Sequence, residues 1–299
     1  MVSKDQITAL ITTYNCESTV RAAITSVLSQ TQCPREIVVV DDGSTDNTVS
    51  EILPFQDKIT LIQQPNGGPS SARNRGISET KTEWIALLDG DDLWHKEKLE
   101  RQIKTLNSYP ELDLLATSWS RTEPTPASFA TNLSRLSYVS LLVMNRFQTS
   151  TVLVKKAAIQ RLGGFNPLLD SVEDWGAWLV LARANQLAIL EEPLVLYRDN
   201  PAGVSKDLSK FFEKMILLLE QEREVALVNE NLFRTIAAWH YLRLFIAMTL
   251  EHQYRDGLKV LYQLIKSPYK PAAPSALRQY LLPFLYSRIQ RRRQLLAKN

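Results

Sequence analysis

The chain has 299 residues, 44% hydrophobic and 22% charged, and its net charge of +3 conceals ten Lys/Arg against one Asp from Arg255 onward. This composition excludes a disordered chain, and Cys16 with Cys33 and the scattered His95, His240 and His252 exclude a disulfide framework or a zinc site, which suits a reducing, cytoplasmic setting. The opening MVSKDQITALITTYN carries charges within a strand pattern, unlike a secretion signal, and no run of about 18 uncharged apolar residues predicts a spanning helix.

ITALITTYN reads as a strand, and STVRAAITSVLSQ as an amphipathic helix with Ala22, Ile24, Val27 and Leu28 inward. EIVVVDDGS is a nearly continuous β-branched run, as in a parallel strand covered on both faces. Thr45 or Asp46 is placed to cap a short helix after it. KITLIQQ follows as a third strand, SSARNRGISET as a helix after a glycine pair, and EWIALLD as a fourth strand. A helix through KEKLERQIKTLNS then leads to a strand in DLLATSW. This repetition predicts an α/β fold, a mostly parallel sheet flanked by helices. The order breaks at a Pro/Ser/Thr loop over 120–132, after which TSTVLVKK reads as a strand, EDWGAWLVLARAN as a helix and LAILEEPLVLY as a strand pair. Beyond residue 206 only helical spacing remains, in LSKFFEKMILLLEQEREVALVNE and LFRTIAAWHYLRLFIAMTL. The expected division is therefore 1–205 and a helical region over 206–299.

Ligands of an open α/β sheet bind beyond the carboxyl ends of the strands. Three such ends carry polar clusters here: TTYN (12–15), DDGSTD (41–46) and DGDD (89–92). One DGS alone is an ordinary turn, but three ends of one sheet would gather Tyr14, Asp42, Asp89 and Asp91 around a single crevice. Asp89 and Asp91 project together, being two apart on extended backbone. Their crowding is explained by a hard cation, Mg²⁺ or Mn²⁺, shared with substrate phosphates. Asp92 is expected to bond backbone amides at the start of the next helix. NGGPSSARNRG (66–76) adds a close-approach turn, a helix capped by Ser70 or Ser71, and Arg73 and Arg75 in its first turns, which suits an anion.

TTYN, VVVDDGSTDNT, NGGPSSARNRGI and LLDGDDLW, in that order, resemble the motifs of the family 2 glycosyltransferases, which have the GT-A nucleotide-sugar fold. The resemblance covers roughly residues 5 to 200. It implies a hexosyl transfer, with inversion, from a nucleoside diphosphate sugar, commonly a UDP-sugar, to a saccharide or lipid-linked acceptor. By that likeness Thr12, Tyr14, Glu17, Asp42, Arg73 and Asp89 surround the donor. Tyr14 would pack on the base, Asp42 accept from a uracil-like imide, Asp89 hold the ribose and Asp91 the metal. EDW at 173–175 resembles the family's acceptor-site motif, so Asp174 is the expected general base, Glu173 its support or an acceptor contact, and Trp175 a stacking platform. Two acids at a helix N-terminus are also favourable without any catalytic role. Where many relatives have a metal-binding His, this chain has Asn200, whose amide oxygen is a weaker hard ligand, and Arg198 or Lys206 is available to the diphosphate. GGF at 163–165 resembles the family's segment before the acceptor helix.

Two other readings have distinct signatures. A sugar nucleotidyltransferase would carry a glycine-rich loop after the first strand, and ITTYNCEST has no glycine. A non-catalytic nucleotide-sugar or glycan-binding module would show losses in the acid set, which is complete. The C-terminal LYSRIQRRRQLLAKN is basic and acid-free. Leu281, Leu282, Leu285 and Ile289 could line one side of a helix beside Arg288 and Arg291 to Arg293, facing an anionic membrane surface. Nucleic acid is a poorer partner, because aromatic residues are few in the tail and the preceding chain is acidic.

Overall fold

The computed structural model describes residues 1–124, 132–184, 186–198, 207–270 and 274–286. The chain divides into two compact units, Met1–Gly203 and Val204–Asn299. The first is built on one sheet with strands β1 (Ile7–Thr13), β2 (Glu36–Asp41), β3 (Thr60–Gln63), β4 (Trp84–Asp89), β5 (Leu93–Trp94), β6 (Leu112–Ser120), β7 (Leu133–Leu136), β8 (Leu153–Lys155) and β9 (Gln186–Leu196). Their order is β3-β2-β1-β4-β8-β6-β9-β5, with β7 also paired to β9.

From β3 to β4 neighbouring strands are parallel, and Ile37 to Val40 and Ile85 to Leu88 are buried along their whole lengths, as a sheet covered on both faces requires. The order then departs from simple β-α repetition. β8 inserts antiparallel between β4 and β6, so the sheet is mixed beyond β4. LAILEEPLVLY forms one long strand, β9, rather than a pair. Register irregularities against β6 near Ser118 absorb Pro193, which lacks an N–H for the ladder.

The helices of this unit are α1 (Val20–Leu28), α2 (Thr48–Ile52), α3 (Pro69–Glu79), α4 (Lys98–Ser108), α5 (Tyr138–Val143), α6 (Lys156–Arg161) and α7 (Glu173–Ala182). α1 buries Val20, Ala23, Ile24 and Val27 against the sheet, so its inner face is turned slightly from the expected Ala22 and Leu28. Asn47, not Thr45 or Asp46, holds the cap position of α2, while Asp46 just before it accepts from the Thr48 amide at 3.0 Å. α3 starts earlier than expected, with Pro69 at its first position and Gly68 as the cap. Ser70 and Ser71 are thereby released for other bonds.

The second unit is helical: α8 (Leu208–Val225), α9 (Glu230–Leu250) and α10 (Tyr254–Lys266). Its core is aromatic, with Phe212 and Phe233 edge-on to Tyr241 and Tyr269 at 5.4 and 6.0 Å. Among the described residues no helix is long and apolar enough to cross a membrane.

Candidate active site

β2, β1 and β4 lie side by side with their carboxyl ends aligned: Thr13 pairs with Asp41, and Thr12 with Asp89. Between β1 and β4 the strand order reverses, the position where open α/β sheets form a ligand crevice. Backbone bonds continue past the strand ends. The Asp42 amide donates to the Thr13 carbonyl at 2.9 Å, and the Gly90 amide to the Thr12 carbonyl at 2.8 Å. A Cβ at Gly90 would lie 2.7 Å from Thr13 Oγ1, so the close approach of the DGDD turn to β1 depends on glycine.

The loops beyond β1 and β2 are bound to each other. Thr45 N–H donates to Asn15 Oδ1 at 2.8 Å, and the Asn47 amide to Glu17 Oε2 at 3.0 Å. Glu17 thus fastens one loop to the other, and the Tyr14 ring is left 46% exposed at the rim. Asp42 is buried. Its carboxylate accepts from Gly67 N at 3.0 Å, Gly68 N at 2.8 Å and Gln64 Nε2 at 2.6 Å, and so shapes the glycine turn from beneath. The turn is also tied to the α7 side, because Asp170 accepts from the Ser70 hydroxyl at 2.5 Å.

Arg73 is the hub. Projecting inward from α3, it donates to Asp89 Oδ1 at 2.9 Å and to Glu173 Oε1 at 2.5 Å. The two carboxylates raise its pKa against the opposing effect of burial, so it stays charged. Glu173 also accepts from Ser171 N at 2.8 Å, and Ser171 adopts φ 103°, a strained conformation for a residue with a Cβ. Arg75, the other arginine of that helix, points outward and pairs with Glu79 at 3.0 Å.

Asp92 departs from expectation. Its carboxylate bonds no amide of the next helix, but accepts from Ser150 Oγ at 2.6 Å and from the Arg198 amide at 2.9 Å. The side chain turns inward because Ser150 and the end of β9 lie behind the DGDD turn. Burial first, and then the neighbouring Asp89 and Asp91 charges, push its pKa up to about 8. Ser150 itself accepts from the Asp89 amide at 3.0 Å, which fixes both ends of the turn.

Asp174 stands half-buried in the first turn of α7. It accepts from Trp175 N at 2.6 Å, Asn145 Nδ2 at 3.1 Å and Thr149 Oγ1 at 3.4 Å. Burial and the adjacent Glu173 charge push its pKa up to about 7, although Arg73 pulls the other way. Trp175 contradicts the stacking expectation. It is 3% exposed and its indole N–H donates to the Leu141 carbonyl at 2.7 Å, because that position on α7 faces α5. Asn200, Lys206 and the tail arginines Arg288 and Arg291 to Arg293 lie outside the described residues. The sequence reading missed Ser150, Thr149, Asn145 and Asp170; the polar run QTST ahead of β8 was the available signal for the first two.

Among the described residues no cluster of three or more His, Cys, Asp or Glu side chains forms a protein-only metal cage. The carboxylates of Asp89 and Asp91 are hard oxygen donors of the kind that suits Mg²⁺ or Mn²⁺. Asp89 Oδ1 is engaged by Arg73, and Asp91 stands part-exposed at the turn.

Comparison with known proteins bears on this arrangement. A family profile described as glycosyl transferase family 2 matches residues 8–161, just over half of the chain and short of α7. An uncharacterized glycosyltransferase of Rickettsia felis is 30% identical over 224 residues, 71% of this chain and 37% of its own length. The chain thus spans well under half of that relative. The Escherichia coli UDP-Glc:alpha-D-GlcNAc-diphosphoundecaprenol beta-1,3-glucosyltransferase WfaP is 29% identical over 185 residues, 58% of this chain and 68% of its own. The crystal structure of S. aureus TarS 1-349 in complex with UDP-GlcNAc shares the fold with a TM-score of 0.65 at 19% identity, covering 87% of this chain and 81% of that one. With four ordered motifs on adjacent strand ends, a GT-A-like sheet and the profile match, this chain belongs to glycosyl transferase family 2.

Proposed function

We propose that the chain moves a hexosyl group, with inversion, from a UDP-sugar to a hydroxyl of a saccharide carried on a lipid diphosphate. The observation that carries this reading is the Arg73 bridge, which sets the acids at the strand ends against a second acid pair at the start of α7. One set is suited to the donor and the other to the acceptor.

In this reading Tyr14 packs on the base, and Asp89, held by Arg73, meets the ribose. Asp174 takes the proton of the acceptor hydroxyl, whose oxygen attacks the anomeric carbon as the bond from that carbon to the diphosphate breaks. An Asp with a pKa near 7 is matched to this task, because about half of it is ionised at neutral pH and it is basic enough to accept a proton. A divalent cation, Mg²⁺ or Mn²⁺, held by Asp91 would neutralise the departing diphosphate. The WfaP name, which specifies UDP-Glc and a diphosphoundecaprenol acceptor, supports both the donor and the acceptor class, and the UDP-GlcNAc of the TarS structure supports the donor. Two free cysteines accord with work on the cytoplasmic side.

The test is an assay with UDP-glucose, UDP-galactose and UDP-GlcNAc on a synthetic lipid diphosphate GlcNAc, read by mass spectrometry of the product. One added hexosyl residue, with an inverted anomeric configuration by NMR, is expected. Transfer with retained configuration would overturn the mechanism, and no transfer from any donor to lipid-linked or free saccharides would overturn the activity.

A further inference from the structure

α10 buries one side and exposes an apolar stripe on the other. Gly257 and Val260 are buried, whereas Tyr254, Leu258, Tyr262 and Ile265 are 54%, 62%, 61% and 58% exposed. At about 100° per residue these four fall within an arc of roughly 80°. Arg255, Lys259 and Lys266 form a row directly beside them, all exposed, and the Lys266 ammonium lies 5.7 Å from the Tyr262 ring centroid. The one acid of the helix, Asp256, pairs with Lys259 at 2.6 Å, leaving the row net positive. After α10 the sequence adds seven more Lys/Arg and no Asp or Glu.

We propose that this face of α10 docks on the interface of an anionic phospholipid bilayer. Leu258 and Ile265 would enter the acyl boundary, Tyr254 and Tyr262 would place ring and hydroxyl at headgroup level, and the basic row would meet lipid phosphates. Charge complementarity selects lipid over a second copy of the chain. An isologous dimer with antiparallel α10 helices would oppose one positive edge to another, whereas lipid phosphates neutralise the whole basic row. The inference rests on α10 alone and uses no step of the proposed reaction, so either can fail without the other.

The full-length chain is sedimented with vesicles of phosphatidylcholine containing one third phosphatidylglycerol, and with pure phosphatidylcholine. Binding to the anionic vesicles that falls with added salt is expected. Leu258→Ser with Ile265→Ser should weaken it by about tenfold or more with the thermal melt unchanged, since both side chains are exposed. A control, Arg291→Gln with Arg292→Gln and Arg293→Gln, separates the tail from the helix. No vesicle binding by the wild type, equal binding to neutral vesicles, or full binding by the α10 double variant would each overturn the proposal. A wild-type dimer that becomes monomeric in the double variant, without vesicle binding, would assign the face to a second copy instead.

Discussion

Arg73 Nη1 donates to Glu173 Oε1 at 2.5 Å across 100 residues of sequence, and their side chains are only 6% and 8% exposed. Through its other nitrogen the same guanidinium holds Asp89, so the end of β4 and the start of α7 are positioned by one residue. Breaking a buried pair from one side leaves an uncompensated charge, which costs about 3–5 kcal/mol. Arg73→Ala should therefore lower the unfolding free energy by about that much in urea melts, and Arg73→Ala combined with Glu173→Gln should recover part of the loss. If Arg73→Ala melts like the wild type, the bridge has no structural role.

Asp174→Asn keeps the size of the side chain and removes the base. Turnover should drop by ~10²–10⁴-fold while affinity for the nucleotide sugar is unchanged. In the wild type, kcat/KM should rise with pH and level off above about 7, because only the ionised carboxylate accepts the proton. A flat profile between pH 5 and 8 would remove Asp174 from this role.

Asp92 gives a stability prediction of definite sign. In the unfolded chain it ionises near 3.8, whereas in the fold it keeps its proton up to about 8. Between these values the folded state binds the extra proton, so stability falls as pH rises through that window, by at most about 1.4 kcal/mol per unit for this group. Asp174, raised to about 7, adds to the same trend up to that pH. Asp92→Asn should flatten the slope of unfolding free energy between pH 5 and 8. An unchanged slope would show that Asp92 does not hold that proton.

Much of the strand-end cluster was legible because its signals are local. Val38 to Val40 announce a strand buried on both faces, and the acids at 41, 42, 89 and 91 stand where such strands end. What was hidden depends on distant neighbours. β8 has three residues, and nothing in LVK tells that it runs antiparallel between β4 and β6. Asp92 was read with its own helix, but its partners are Ser150 and Arg198, 58 and 106 positions away. Trp175 was read as a stacking platform beside two acids, and helical geometry turned it inward against α5. α10 escaped the reading although its charges were counted, because it exposes much of the apolar surface that the spacing would assign to a core.

Gly68 lies between Asp42, beyond β2, and Asp170, just before α7. It has φ 85°, and a Cβ there would collide with Asp170 Oδ2. Gly68→Ala should cost about 1–3 kcal/mol in urea melts and lower activity, by displacing the Asp42 and Asp170 bonds together. Stability equal to wild type would mean the turn tolerates another path.

The most direct test of the central claim, a metal-assisted UDP-sugar site at the ends of β1, β2 and β4, is calorimetric titration with UDP and UDP-sugars, with Mn²⁺ and then with chelator. We expect binding that weakens by at least tenfold on chelation and likewise in Asp91→Ala, whose fold should be intact. Failure of the folded wild type to bind any of these nucleotides in Mn²⁺ would contradict the account, and binding indifferent to both chelator and Asp91→Ala would contradict its metal.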